Sequence, residues 1–115
     1  MPMLNLKTNV VIPDDKLEKL ISGLSTVVSD GIGKPEQYVM IVVEPATLLL
    51  GGKPGPAAFI DLRSIGGLSP AVNKRLSALL SDAMLRVLGI PGNRVFMNFT
   101  DVPGGNWGWD SSTLG

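Results

Sequence analysis

The second half of the chain repeats the first at an offset of 56 positions, and this duplication constrains the fold more than any other feature. Residues 3–8 (MLNLKT) fall on residues 59–64 (FIDLRS), and residues 38–41 (YVMI) fall on residues 94–97 (RVFM). Because one offset serves every segment without a gap, the pattern predicts a strand–helix–strand unit present twice. We expect a single domain over 1–115, with repeats at about 2–45 and 57–101 and a C-terminal segment 102–115.

The first repeat has the pattern of a strand, a helix and a second strand. Residues 3–8 alternate weakly, as in a strand. Asp14 is a candidate N-cap after Pro13, apolar residues then recur at helical spacing, and Gly33 is a stop signal. Tyr38–Val43 is a continuous apolar run, which is typical of a strand covered on both faces.

The second repeat has the same order. Residues Ala57–Ser64 form the predicted strand. Ser69 is a good N-cap, and Pro70 suits the first helical position, where its missing N–H leaves no hydrogen bond unmade. The helix is predicted to end at Gly89, and Arg94–Phe99 is the closing strand.

Two right-handed crossover units predict an α+β sandwich, with a four-stranded mixed sheet and both helices on one face. The strands look apolar on both sides, so the uncovered face of the sheet needs a partner. The chain is 44% hydrophobic and only 17% charged. Both features favour an oligomer that hides part of the surface.

Composition removes several classes of function. The chain has no His and no Cys, which excludes disulfides, thiol nucleophiles, Ser-His-Asp triads and nearly all zinc sites. Ten basic and ten acidic residues cancel, so nucleic-acid binding is not expected. Apolar runs fall far short of the ~20 residues of a membrane span. Without a recognisable signal peptide, we expect a cytoplasmic protein, with non-classical export still open, and no cofactor.

Three residues carry candidate chemistry. Removal of Met1 leaves Pro2 with a secondary amine, which burial beside a cation would turn into a base near neutral pH; alternatively, Pro2 only protects the N-terminus. Lys34 follows the first helix, where it is either functional or merely complements the helix dipole. Asn98 lies in an apolar strand, as a site residue or as a satisfied core amide.

The whole chain resembles the tautomerase superfamily, in particular the macrophage migration inhibitory factor and D-dopachrome tautomerase family, and within it the plant and microbial members. The residues that carry the resemblance are Met1-Pro2-Met3, Thr8-Asn9-Val10, Gly33-Lys34-Pro35, Gln37-Tyr38, Gly51-Gly52, Ser64-Ile65-Gly66, Asn73-Lys74, Arg94-Val95, Asn98, Gly108-Trp109 and Ser112-Thr113.

The resemblance implies a homotrimer around a central β barrel, with active sites between neighbouring subunits and Pro2 as catalytic base. The activity implied is keto–enol tautomerisation of phenylpyruvate-like and dopachrome-like substrates, that is, small aromatic keto or enol acids. Lys34 and the Ile65 N–H would hold the substrate carboxylate, and Asn98 of the adjacent chain its distal end. The apolar wall for the aryl ring would come from Met3, Tyr38, Phe96 and the segment around Trp107.

Some residues depart from the family pattern. Phe96 stands where Tyr is frequent, and Trp107 replaces a smaller aliphatic residue, so the rim of the pocket differs. The loop before the first helix lacks an Arg and Ala46 replaces an Asp, which weakens any mimicry of a chemokine; no receptor is identified. Two alternatives stay open: a cytokine-like signalling protein with a vestigial pocket, and a ferredoxin-like ligand-sensing module without chemistry.

Overall fold

A computed structural model describes all residues from 1 to 115. The two long helices are α1 (Asp14–Ile32) and α2 (Pro70–Leu88). The strands are β1 (Pro2–Thr8), β2 (Met40–Pro45), β3 (Ala58–Ser64), β4 (Val95–Asp101), β5 (Gly108–Trp109) and β6 (Ser112–Thr113). Single 3-10 turns lie at Glu36–Tyr38, Gly92–Arg94 and Gly104–Asn106.

The duplicated βαβ unit is confirmed. β1 and β3 have seven residues each and α1 and α2 have nineteen each, and both pairs are displaced by 56 positions. The 3-10 turns Glu36–Tyr38 and Gly92–Arg94 differ by the same offset. Equivalent residues of the two repeats therefore occupy equivalent positions in the fold.

Both helices cover one face of the four-stranded sheet, as predicted. The strand order is β2-β1-β3-β4, and the sheet is mixed because β1 and β3 are antiparallel while the outer pairs are parallel. Alternate residues of the central strands, such as Leu4, Leu6, Ile60 and Leu62, point towards the helices and are fully buried. They meet the buried face of α1 and α2 in one core of 14 residues.

The prediction that the strands are apolar on both sides is wrong. The alternating burial of β1 and β3 places Asn5 and Asp61 on the open face, in register with each other. Asn5 donates to Glu44 at 2.9 Å, and Asp61 forms an ion pair with Arg63 at 3.0 Å. Apolar residues on this face lie towards its ends and edges, so a partner would meet a mixed surface with a polar centre.

Several element ends differ from the prediction. Asp14 is the first helical residue of α1, not its N-cap, because the Pro13 carbonyl already accepts from the Leu17 N–H at 2.9 Å. Asp14 then acts on the positive end of the helix dipole. Tyr38 belongs to a 3-10 turn, and β2 starts only at Met40.

Other ends are confirmed or shifted slightly. The Ser69 hydroxyl accepts from the Val72 N–H at 3.2 Å, so the predicted cap of α2 is confirmed. Gly33 and Gly89 end the helices with left-handed φ values of 76° and 68°. β4 starts one residue later than predicted and continues to Asp101.

None of the helices combines the length and apolar character that crossing a membrane requires.

Candidate active site

A cavity of about 230 Å³ lies at the start of β1. Four of the eight predicted site residues line it: Pro2, Met3, Tyr38 and Trp107. The rest of its wall is Met1, Gln37, Val39, Met40, Gly108 and Trp109. Most of these side chains are apolar, which makes the cavity a place where a charged amine is poorly solvated.

Pro2 is fixed by the sheet at the inner end of this cavity. It is the first residue of β1, its side chain is less than 2% exposed, and it lies opposite Ser64 of β3. Met3 lies opposite Met40 of β2, so two methionines extend the apolar wall from Pro2. Methionine adapts its shape to irregular ligands, which suits a wall of this kind.

The outer wall is aromatic. Tyr38 and Trp109 meet edge to face, with ring centroids 6.0 Å apart and an interplanar angle of 86°. Trp109 is held on the β5–β6 hairpin, which pairs Gly108 with Thr113 and Trp109 with Ser112. Such a pair forms a stable surface for a flat ring.

Lys34 is positioned by the end of α1. Its backbone N–H donates to the Ser29 carbonyl at 3.1 Å, and the Ser29 hydroxyl donates to the Lys34 carbonyl at 2.6 Å. The side chain is partly buried and acts on the α-amino group at the cavity. Burial lowers the pKa of the Met1 amino group from its ordinary value, and the charge of Lys34 lowers it further.

The Ile65 N–H lies beside Pro2, because Ser64 is the strand partner of Pro2. The Ser64 hydroxyl donates to the Gly66 carbonyl at 2.7 Å, and the Gly66 N–H donates to Asp101 at 2.9 Å. Both contacts fix the turn, while the Ile65 N–H donates no hydrogen bond within the chain. This free donor is suited to a carboxylate or carbonyl oxygen.

Gly67 brings this turn against Lys34. A Cβ added to Gly67 would lie 3.5 Å from Cε of Lys34 and 3.0 Å from the Ile32 carbonyl oxygen, and would overlap the Ile32 side chain. The φ of Gly67 is +79°, a conformation that glycine adopts easily. Pro2, Lys34 and Ile65 are therefore brought together by the backbone.

Within one chain, Asn98 and Phe96 are not brought to this group. Pro2 pairs with Ser64 of β3, and Ser64 pairs with Asp101 of β4. Asn98 lies three residues before Asp101 on β4. β1 and β4 are separated by β3, which puts them about 10 Å apart at ordinary strand spacing. Asn98 and Phe96 are exposed on the open face, Phe96 by 61%. The alternative that Asn98 is a core amide is wrong.

A larger cavity, of about 310 Å³, lies at the other end of β1 and contains none of the predicted site residues. Two of its polar side chains already form hydrogen bonds within the chain. The Thr8 hydroxyl donates to the Ala57 carbonyl at 2.8 Å, and Asn9 bonds to Gly55 and Ala57. The Glu44 carboxylate also lines this cavity and accepts from the Asn5 amide at 2.9 Å. The cavity contains no amine and no predicted site residue, so the Pro2 cavity is the candidate active site.

The resemblance to the tautomerase superfamily implied a duplicated βαβ unit with a proline at the head of its first strand, and the structure has both. The family model for macrophage migration inhibitory factor matches residues 1–115. The chain belongs to the macrophage migration inhibitory factor family.

Individual relatives agree with this assignment. A macrophage migration inhibitory factor homolog of Trichinella spiralis is 37% identical over 99% of this chain and all of its own. Macrophage migration inhibitory factor of Xenopus tropicalis is 36% identical over 99% of each chain. The crystal structure of the homologue from Prochlorococcus marinus has a TM-score of 0.93 at 32% identity and covers 98% of this chain and 99% of its own.

Sequence reasoning missed Gln37 and Met40 as cavity residues and included Trp109 only as part of the segment around Trp107. Met40 could have been found from register, since it faces Met3 across the β1–β2 pair. Trp109 had no such signal, because its position depends on the hairpin fold of the C-terminal segment.

Replacing Gly67 by Ala is expected to damage both stability and substrate binding. The added methyl group overlaps the Ile32 side chain and presses on the Ile32 carbonyl, two residues before Lys34, so we expect about 1–3 kcal/mol loss of unfolding free energy beyond the backbone strain. Gly89→Ala is the matched control, because Gly89 has a similar φ of +68° and no atom within 4 Å. Urea unfolding at one protein concentration and KM measure the two effects. Equal losses in both variants would contradict the steric argument.

Proposed function

We propose that this protein is a keto–enol tautomerase of phenylpyruvate-like substrates, with Pro2 as general base once Met1 has been removed. The observation that carries the proposal is the position of Pro2: its ring is buried in an apolar cavity, beside a lysine whose charge disfavours a protonated amine. The activity is an isomerisation, an intramolecular transfer of a proton between carbon and oxygen.

The physical argument concerns the protonation state of the Pro2 nitrogen. An α-amino group is largely protonated at neutral pH in water, since its pKa is ordinarily near 8. Burial and Lys34 already lower the pKa of the amino group when it belongs to Met1. After removal of Met1 the amine lies at Pro2, which is more deeply buried. A neutral amine can then accept a proton from the carbon next to the substrate carbonyl and return it to the other position.

Substrate chemistry follows from the polarity of the cavity. Lys34 and the Ile65 N–H do not line the cavity but lie next to its Pro2 end, where a cation and an unpaired donor fit the carboxylate of an α-keto acid. Tyr38, Trp107 and Trp109 offer an apolar aromatic wall on the other, which fits an aryl ring. Phenylpyruvate combines both groups, and a dopachrome-like compound has the same combination.

The site also needs a neighbouring subunit. Asn98 and Phe96 lie on the same face of β4, because residues two apart in a strand point to the same side. β4 and β2 are the two edges of the sheet, so each has backbone groups free to pair with another chain. In a homotrimer the subunit that supplies Asn98 to a neighbour's cavity supplies Phe96 as well.

The proposal is tested with the wild-type protein after removal of Met1, confirmed by intact mass. Ketonisation of enol-phenylpyruvate is followed by the loss of enol absorbance, and exchange of the adjacent C–H in heavy water is followed by NMR. We expect both to be accelerated, and light scattering to give the mass of a trimer. A rate equal to that in buffer would contradict the function, and a monomer would contradict the shared site.

A further inference from the structure

The second repeat contains a counterpart of the Pro2 cavity, of about 210 Å³. The offset of 56 carries Pro2 onto Ala58, Met3 onto Phe59 and Met40 onto Phe96. All three counterparts line this second cavity, so its position follows from the duplication. The second cavity has Ala58 in place of the proline, and the apolar segment Leu48–Leu50 forms part of its lining.

Arg94 is the counterpart of Tyr38 and has taken a different role. Its Nε donates to the Pro56 carbonyl at 3.1 Å, Nη1 to Leu50 at 3.1 Å, and Nη2 to Lys53 at 3.0 Å and to Gly55 at 3.3 Å. One planar guanidinium thus binds four backbone carbonyls of the loop 50–56. Arg94 forms no ion pair with a carboxylate. Its guanidinium donors therefore serve the backbone carbonyls of this loop.

The loop has little else to hold it. Leu50 and Lys53 pair with each other, at 3.0 and 3.4 Å, and the Asn9 amide donates to the Gly55 carbonyl at 2.8 Å. The intervening Gly51 and Gly52 have φ values of 61° and 73° and make a tight turn. Without Arg94, the Pro56 carbonyl loses its hydrogen bond within the chain, and the Leu50, Lys53 and Gly55 carbonyls keep one partner each. The loop then loses the one side chain that ties all four carbonyls together.

We propose that Arg94 is a positioning residue, which holds the loop 50–56 and thereby fixes the Leu48–Leu50 segment against Phe96 and Phe59. The effect of this positioning on activity rests on the proposed function, in which β4 supplies Phe96 and Asn98 to the site of the neighbouring subunit. Arg94 acts through them and never touches the substrate. Its loss therefore weakens the ring-binding wall of the next subunit and leaves the Pro2 nitrogen of its own chain intact.

The first test is local and independent of any activity. Amide hydrogen exchange at Leu50 and Lys53 is compared in wild type, Arg94→Ala and Arg94→Lys. We expect about tenfold faster exchange in Arg94→Ala and partial rescue in Arg94→Lys, because an ammonium has three donors and cannot span the loop as a fork does. Arg86→Ala is the matched control, since Arg86 is an exposed arginine paired only with Asp82. Unchanged exchange in Arg94→Ala would overturn the proposal even if the enzyme proves active.

The second test asks whether Arg94 serves the neighbouring site. We expect Arg94→Ala to raise KM about tenfold with little change in kcat, the pattern of lost binding. Arg94→Ala chains are co-expressed with Pro2→Gly chains, so that trimers form from a random mixture of the two. In about one quarter of the sites, an intact Pro2 from one chain then lies beside an intact Arg94 loop from its neighbour. The rate at low substrate then exceeds the mean of the two separate variants severalfold. A rate equal to that mean would overturn the proposal; an inactive wild type would instead reject the proposed function, leaving the exchange test to decide on Arg94.

Discussion

Leaving Met1 attached is expected to abolish turnover by this protein, with a loss of about 10²–10⁴ in kcat/KM, the usual contribution of a general base. With Met1 present, the Pro2 nitrogen is a tertiary amide whose lone pair is delocalised into the carbonyl, so it cannot accept a proton. Met1 also lines the Pro2 cavity and takes up part of its volume.

Misfolding does not account for such a loss. The fold described above includes Met1, and β1 starts at Pro2 with every register pair to β2 and β3 in place. The inactive form can therefore be treated with a methionine aminopeptidase, which removes one residue and changes nothing else. We expect the rate to rise in step with the fraction of processed chains measured by intact mass.

Pro2→Gly gives a second measure of the same role. It keeps a free amine after Met1 removal but loses the rigid ring that the cavity holds, so we expect a loss of about 10²-fold from poorer alignment of the base. Pro70→Ala is the control: Pro70 is an exposed first residue of α2 and does not line the cavity. Equal rates for wild type and Pro2→Gly would contradict the mechanism, as would full activity of the form that retains Met1.

Much of the fold was predictable because the duplication reports each element twice. Ser69 and Pro70 identify the start of α2 in the clearer repeat, and the offset then gives Asp14 as the first residue of α1. The N-cap itself was misassigned, since a polar residue near a helix start can lie on either side of the boundary. The open face was misjudged because its polar residues, such as Asn5 and Asp61, appear only when strand register is known.

The candidate site was predictable where the backbone alone fixes it. Pro2 and Lys34 lie at ends of elements that the repeat already defines, whereas Ile65 was named only because the family resemblance implied it. The position of Trp109 was not predictable, because the β5–β6 turn places Asp110 and Ser111 at φ values of 50° and 65° without the Asn-Gly or Asp-Gly pair that is usual there. A turn without those residues gives no signal of a hairpin, and hence none of the wall against Tyr38.

Replacing Lys34 by Ala is expected to have two separable effects. Loss of a cation that binds the substrate carboxylate should raise KM by about 10–100-fold, in line with a charge-assisted hydrogen bond. The acidic limb of the kcat/KM profile should also move to higher pH. The sign follows from the base: Lys34 lowers the pKa of the amino group, so its removal raises that pKa and a higher pH is needed to produce the neutral amine.

Lys34→Arg separates charge from the fit of the side chain. It keeps the positive charge, so the acidic limb should stay near that of wild type, while KM rises because the bulkier guanidinium fits poorly against the turn at Gly67. Lys19→Ala, an exposed lysine on α1, controls for a change in net charge. Low ionic strength is the right condition, since Lys34 is only partly buried and salt screens its field. An acidic limb that stays fixed in Lys34→Ala would mean that burial alone sets the pKa of the base, and would reduce Lys34 to a carboxylate-binding residue.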